Sequence, residues 1–265
     1  MPSVEVNGLE LTYERSGEGP PLVFAHGVLC DSRAWRPQLA GLSDELTVVA
    51  WDEPGAGRSV DPPESFGLTG YADCLAGVIE ALGLGPAAVG GLSWGGIVAQ
   101  ELYRRRPELV AGLILADTYA GWAGSLPAEA CAARLASCLN QATMPAADVV
   151  EQWMPSLLSD RAPAAVADEL ASILSDFRPA GFRLAVRAAA AADTRDLLGR
   201  IATPTLLLWG EHDARSPLAV GERMRDAIPG AELVVIPGCG HVSNLEQPDR
   251  FNAAVREFCR RVPGS

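Results

Sequence analysis

The chain has 265 residues, 48% hydrophobic and 20% charged, enough for one globular domain or one domain carrying a sizeable insertion. Its net charge is −12 and all 21 basic residues are arginine. An acidic surface argues against nucleic acid or an anionic membrane as a partner. No apolar stretch approaches the roughly 20 residues of a membrane span, and Met1-Pro2-Ser3-Val4-Glu5 lacks the basic start of a secretory signal, so a cytoplasmic protein is expected.

Asn7-Gly8 lies between two short strand-like segments and predicts a hairpin at an antiparallel edge. Leu22-Val23-Phe24-Ala25 reads as a buried strand, followed by a helix near residues 35–42. Residues 46–51 form the next apolar strand and residues 68–82 the next helix. Ala87-Ala88-Val89 is a third strand. It leads into Gly91-Leu92-Ser93-Trp94-Gly95 and an apolar-periodic helix from Ile97. Residues 113–116, 205–209 and 233–236 read as strands, and residues 248–260 as the closing helix. Apolar strands alternating with helices predict a mostly parallel sheet covered on both faces.

Residues 120–192 differ in character. They are alanine-rich, helical in period and interrupted by Pro127, Pro145, Pro155, Pro163 and Pro179, which should cut the block into about four short helices. An all-helical block between two strands reads as a lid over the strand ends, where open α/β sheets bind ligands. Packing helices without a gating role are the alternative. The expected organisation is a core of residues 1–119 and 193–265 with a helical lid at 120–192. Six cysteines show no C-x-x-C pair. Cys131 and Cys138, if on one helix, lie about 10 Å apart and cannot bond, so reduced thiols are expected.

Gly91-Leu92-Ser93-Trp94-Gly95 places a serine on a sharp strand-to-helix turn, where its hydroxyl is held up and exposed. The bland alternative is a Gly/Ser turn with Ser93 as a helix cap. A serine nucleophile needs a base, itself oriented by an acid. Of the three histidines, His26, His212 and His241, the last falls latest, in the loop after strand 233–236. His212 reads as a turn residue. Asp213, after strand 205–209, is the first choice of acid. Asp117, after strand 113–116, is the alternative, and Glu211 a poorer third. The oxyanion of acyl transfer needs two backbone donors. Trp94 N–H supplies one, and Val28 N–H, with Leu29 as the other option, supplies the second from the loop His26-Gly27-Val28-Leu29. His26 is expected to hold that loop in shape. His26, Leu29, Trp122, Trp153 and Phe182 are candidate pocket residues.

Four segments together resemble the α/β-hydrolase superfamily: His26-Gly27 after a strand, Asp52-Glu53-Pro54-Gly55-Ala56-Gly57-Arg58-Ser59, the Ser93 elbow, and Gly240-His241 with Glu246-Gln247-Pro248 and Phe251 beyond it. Residues 241–248 and Leu115-Ala116-Asp117-Thr118 are similar to 3-oxoadipate enol-lactonases and related esterases. The chain differs from them at Gly27, where serine is frequent, and at Trp94, where methionine is common. The resemblance implies an α/β-hydrolase fold and a cofactor-free, metal-free serine hydrolase acting on a small ester or lactone. A serine at the elbow disfavours the haloalkane dehalogenase and epoxide hydrolase branches. C–C bond, amide or perhydrolase chemistry on the same triad, and a non-turnover binding module on this scaffold, remain alternatives. The expected partner is a small-molecule substrate, with no nucleic acid or membrane, and a homodimer stays open.

Overall fold

The computed structural model describes residues 2–262. Eight strands form one sheet: β1 (Ser3–Val6), β2 (Leu9–Ser16), β3 (Pro21–Ala25), β4 (Thr47–Trp51), β5 (Ala87–Leu92), β6 (Val110–Ala116), β7 (Thr205–Gly210) and β8 (Glu232–Ile236), in the order β1-β2-β4-β3-β5-β6-β7-β8. β1 and β2 form a hairpin about Asn7-Gly8, both residues at positive φ, and β2 pairs antiparallel with β4. The other pairings are parallel. This is the α/β-hydrolase fold.

Helices α1 (Arg36–Leu42), α2 (Leu68–Ala81) and α3 (Trp94–Arg105) link the first half of the sheet. The link from β6 to β7 carries α4 (Trp122–Ser125), α5 (Ala128–Gln141), α6 (Ala146–Leu157), α7 (Ala164–Ser175), α8 (Pro179–Ala191) and α9 (Arg195–Leu198). The chain ends with α10 (Leu218–Ala227), α11 (Ser243–Glu246) and α12 (Pro248–Cys259).

The central strands form because continuous Val, Leu and Ala runs can bury both faces. Every residue of β4, β5 and β7 is buried. β8 departs from the two-sided covering expected. It is an edge strand, with Val234 and Val235 more than a third exposed. Pro127, Pro145 and Pro163 precede α5, α6 and α7, and Pro179 opens α8, as helix starts favour. Pro155 is no breaker: it lies inside α6, two residues before the end, where the helix has little left to lose. The short α4 adds a turn that the proline count did not anticipate.

The helices of the insertion sit against the core through a very close approach. A Cβ on Gly181 of α8 would lie 1.9 Å from the Gly55 carbonyl oxygen, so backbone meets backbone there. All six cysteines are buried, and Cys30, Cys74, Cys131, Cys138 and Cys239 are free thiols. No described helix is long and apolar enough to cross a membrane.

Candidate active site

Parallel strands carry their following loops to one edge of the sheet, and the candidate residues converge there. Ser93 is the single residue between β5 and α3, at φ 55° and ψ −115°, a strained conformation for a serine. Its N–H donates to Ala116 O at 2.9 Å, and the Thr118 hydroxyl donates to Ser93 O. The flanking glycines are steric necessities. A Cβ on Gly91 would meet Gly95 O at 2.2 Å, and one on Gly95 would meet Ala25 O at 2.2 Å. Ser93 itself is half-buried while its neighbours are buried. Trp94 opens α3, so its N–H has no partner within the helix.

His241 follows β8 and is 3% exposed. Its Nδ1 lies 2.8 Å from Asp213 Oδ2. Asp213 Oδ1 accepts the N–H groups of Arg215 and Ser216, each at 2.8 Å. The carboxylate is thus held by its own loop while one oxygen faces the imidazole. The His241 loop is tied to α6, since His241 N–H donates to Leu157 O at 2.8 Å. Among the described residues Ser93 Oγ makes no hydrogen bond to the imidazole. Asp117 takes another course: Oδ1 accepts Gly210 N–H at 2.7 Å and Oδ2 accepts the Ser243 hydroxyl at 2.6 Å. Burial and the neighbouring Asp213 charge raise its carboxyl well above the usual range. Glu211 and His212 are exposed turn residues.

In the loop after β3, Leu29 takes φ 64° and Cys30 N–H donates to Gly27 O, closing a tight turn. Among the described residues the Val28 N–H has no acceptor. His26 is 1% exposed and bonds at both ring nitrogens. Its Nε2 accepts Glu53 N–H at 3.2 Å, so Nδ1 carries the proton and donates to Gly27 O at 2.9 Å. It braces the loop from behind.

Of the five candidate pocket residues, Leu29 and Phe182 line a common cavity of about 20 Å³, together with Glu53, Phe177 and Arg178. His26, Trp122 and Trp153 do not line it. Trp153 packs edge-on against Phe182 and carries the Arg215 guanidinium 3.7 Å from its ring centre. Trp122 lies under Arg134.

Glu53 was not singled out by the sequence. It sits in a Pro/Gly turn, where an acid normally faces water, yet it is 4% exposed and its Oε2 accepts Trp94 Nε1–H at 2.6 Å. Burial, helped by the Asp52 charge, pushes this carboxyl up to about 7 against the pull of His26 and then of the Trp94 N–H. The available signal was the tryptophan at 94, whose indole N–H needs an acceptor once buried.

The profile of the family described as "Alpha/beta hydrolase family" matches residues 22–254. The chain is similar to 3-oxoadipate enol-lactonase 1 of Acinetobacter baylyi, 30% identical over 98% of this chain and 93% of that one. Among solved structures it is similar to a thermophilic esterase from Thermogutta terrifontis, determined with malate bound, at 34% identity and TM-score 0.90 over 98% of this chain and 97% of that one. It is also similar to the enol-lactonase from Burkholderia xenovorans LB400, at 26% identity and TM-score 0.89 over 98% and 100%. The chain belongs to the alpha/beta hydrolase family and is an enzyme of that fold.

Proposed function

We propose that this alpha/beta hydrolase cleaves a small carboxylic ester or lactone through an acyl-enzyme on Ser93. The observation that carries the reading is convergence at one sheet edge: a strained, half-buried serine and an imidazole 2.8 Å from a fixed carboxylate. Similarity to esterases and enol-lactonases supports the substrate class.

Ser93 Oγ attacks the carbonyl carbon while His241 Nε2 takes the hydroxyl proton. Asp213 holds the imidazole through Nδ1–H and stabilises the cation that forms. The charge developing on the carbonyl oxygen meets the Trp94 and Val28 N–H groups. Collapse expels the alkoxide, which takes the proton from His241. In a lactone that alcohol stays attached to the acyl chain. Water, deprotonated by His241, then attacks the acyl-enzyme and releases the acid and Ser93. Helices α4 to α8 act as a lid over this edge, and Leu157 O couples the lid to the base by holding His241 N–H.

A fluorophosphonate probe tests the assignment. One adduct should appear, on the peptide bearing Ser93. Ser93→Ala should abolish labelling and remove almost all turnover, leaving at most about 10³–10⁴-fold over water. A second labelled site, or a folded Ser93→Ala variant with wild-type turnover, would sink it.

A further inference from the structure

A buried carboxylate without a cation is held by hydrogen-bond donors, and where those donors lie decides what it fastens. Glu246, the last residue of α11, is buried, and among the described residues it forms no ion pair. Its Oε1 accepts Gly240 N–H at 2.7 Å and Ser159 N–H at 3.2 Å. Its Oε2 accepts the Ser159 hydroxyl at 2.6 Å and Ser159 N–H at 3.2 Å. Gly240 directly precedes the base, and Ser159 lies in the insertion, between α6 and α7. One carboxylate therefore joins the loop of the base to the insertion.

The loop itself is fastened in two halves. Its first half is tied to the core: Glu211 Oε2 accepts Gly238 N–H, and Cys239 O accepts His212 N–H. Its second half is tied to the insertion, since Leu157 O accepts the N–H groups of His241 at 2.8 Å and Val242 at 3.3 Å. Gly240 is wedged between the two bodies. A Cβ on Gly240 would lie 2.8 Å from Leu157 O, and one on Gly210 would lie 2.0 Å from Gly240 O. Having no side chain, Gly240 can be held only through its backbone, and Glu246 takes its N–H. Glu246 N–H donates to Val242 O at 3.1 Å, so one turn of α11 brings the carboxylate back beside the loop it holds.

We propose that Glu246 is a positioning residue, which ties Gly240 to Ser159 and so keeps the His241 imidazole in register with Asp213, making the docked insertion a condition for catalysis. The kinetic part of the proposal rests on Ser93 and His241 acting as nucleophile and base. All contacts of the Glu246 carboxylate go to Gly240 and Ser159, so it acts through the loop and not on the reacting atoms. A carboxylate suits the place because it only accepts, and the groups around it are donors.

The test follows phenyl acetate hydrolysis and the proton resonance of His241 Nδ1–H on the same samples. Glu246→Ala should lower kcat by about 10–100-fold and change KM by less than about threefold, because a displaced base slows proton transfer without removing substrate contacts. The downfield Nδ1–H signal, held between the imidazole and Asp213 in the wild type, should broaden or vanish. Glu246→Gln should keep the signal and hold kcat within about fivefold, since the amide oxygen still accepts Gly240 N–H and the Ser159 hydroxyl can accept from the amide N–H. Ser159→Ala, made in the insertion, should lower kcat by about three- to tenfold. Added to Glu246→Ala, it should cost little more, because both remove one link. Should Glu246→Ala fail to fold, Ser159→Ala decides, and wild-type kcat and signal in that variant would overturn the proposal. Wild-type kcat in folded Glu246→Ala, a lowered kcat with an unchanged signal, or equal losses in the Ala and Gln variants would overturn it too. Fluorophosphonate labelling separates the two readings. An unlabelled wild type overturns the nucleophile, while the resonance still reports on His241 and Asp213. A labelled Ser93 with unchanged kcat and signal in Glu246→Ala overturns only Glu246.

Discussion

Strands β6 and β7 end side by side at the same sheet edge, and each delivers a buried aspartate, yet the two loops use the same side chain differently. Asp117 follows β6 directly, at φ 47°, and spends both oxygens on structure: one on Gly210 N–H at the end of β7, the other on the Ser243 hydroxyl of α11. Asp213 lies three residues beyond β7, in a loop that turns back on it. Its own Arg215 and Ser216 N–H groups occupy one oxygen and leave the other for His241. What a buried acid can do is set by the donors its neighbours bring. The β6 loop is a stitch between elements, and the β7 loop is a holder for an imidazole.

The largest expected effect tests the holder. Asp213→Asn should lower kcat by about 10⁴-fold with the fold intact, because the amide favours the wrong imidazole tautomer. Asp117→Asn should change kcat by less than about tenfold. Steady-state assays on both variants decide, and a reversal of the two would exchange the roles of the loops.

The stitch predicts a stability effect. Asp117→Ala should cost about 1–3 kcal/mol, since it leaves the buried Gly210 N–H unpaired. Asp117→Asn keeps an acceptor for that N–H and a donor toward Ser243, and should cost far less. Urea midpoints measure the difference, and equal losses in both would break the argument.

The smallest effect concerns pH. The folded-state pKa of Asp117 is raised by burial and by the Asp213 charge. A raised acid costs nothing below its unfolded value, where both states are protonated. As pH rises, the unfolded chain releases the proton first, so stability falls until the folded carboxyl also ionises, and the cost then stays constant. Asp117→Asn lacks this term. Its stability relative to wild type should therefore grow from mildly acidic to alkaline pH. A gap that narrows instead would mean that the hydrogen bonds from Gly210 and Ser243 outweigh burial.

Much of the fold was legible because it rests on local rules. Continuous apolar strands, Asn7-Gly8, and prolines at 127, 145, 163 and 179 each act within a few residues of themselves. The elbow was legible for the same reason: Gly91 and Gly95 are required by backbone contacts near Ser93. The covering of β8 was not, because strand composition does not say which strand lies at an edge. Pro155 was misleading because its effect depends on where in a helix it falls.

Residue type and strand-end position ranked Asp213 first as the acid, with Asp117 as the alternative and Glu211 third. Only the tertiary structure decides which one meets His241, since that depends on the donors a loop and its distant neighbours offer. The same holds for Glu53. Its sequence neighbourhood reads as an exposed turn, and its burial comes from Trp94, 41 residues away, and from the part of the insertion that begins at Ile173, 120 residues later in the chain. Sequence determined what could form locally. The packing of distant segments determined which side chains were left with a free oxygen, because hydrogen-bond satisfaction in the interior is a property of the whole fold.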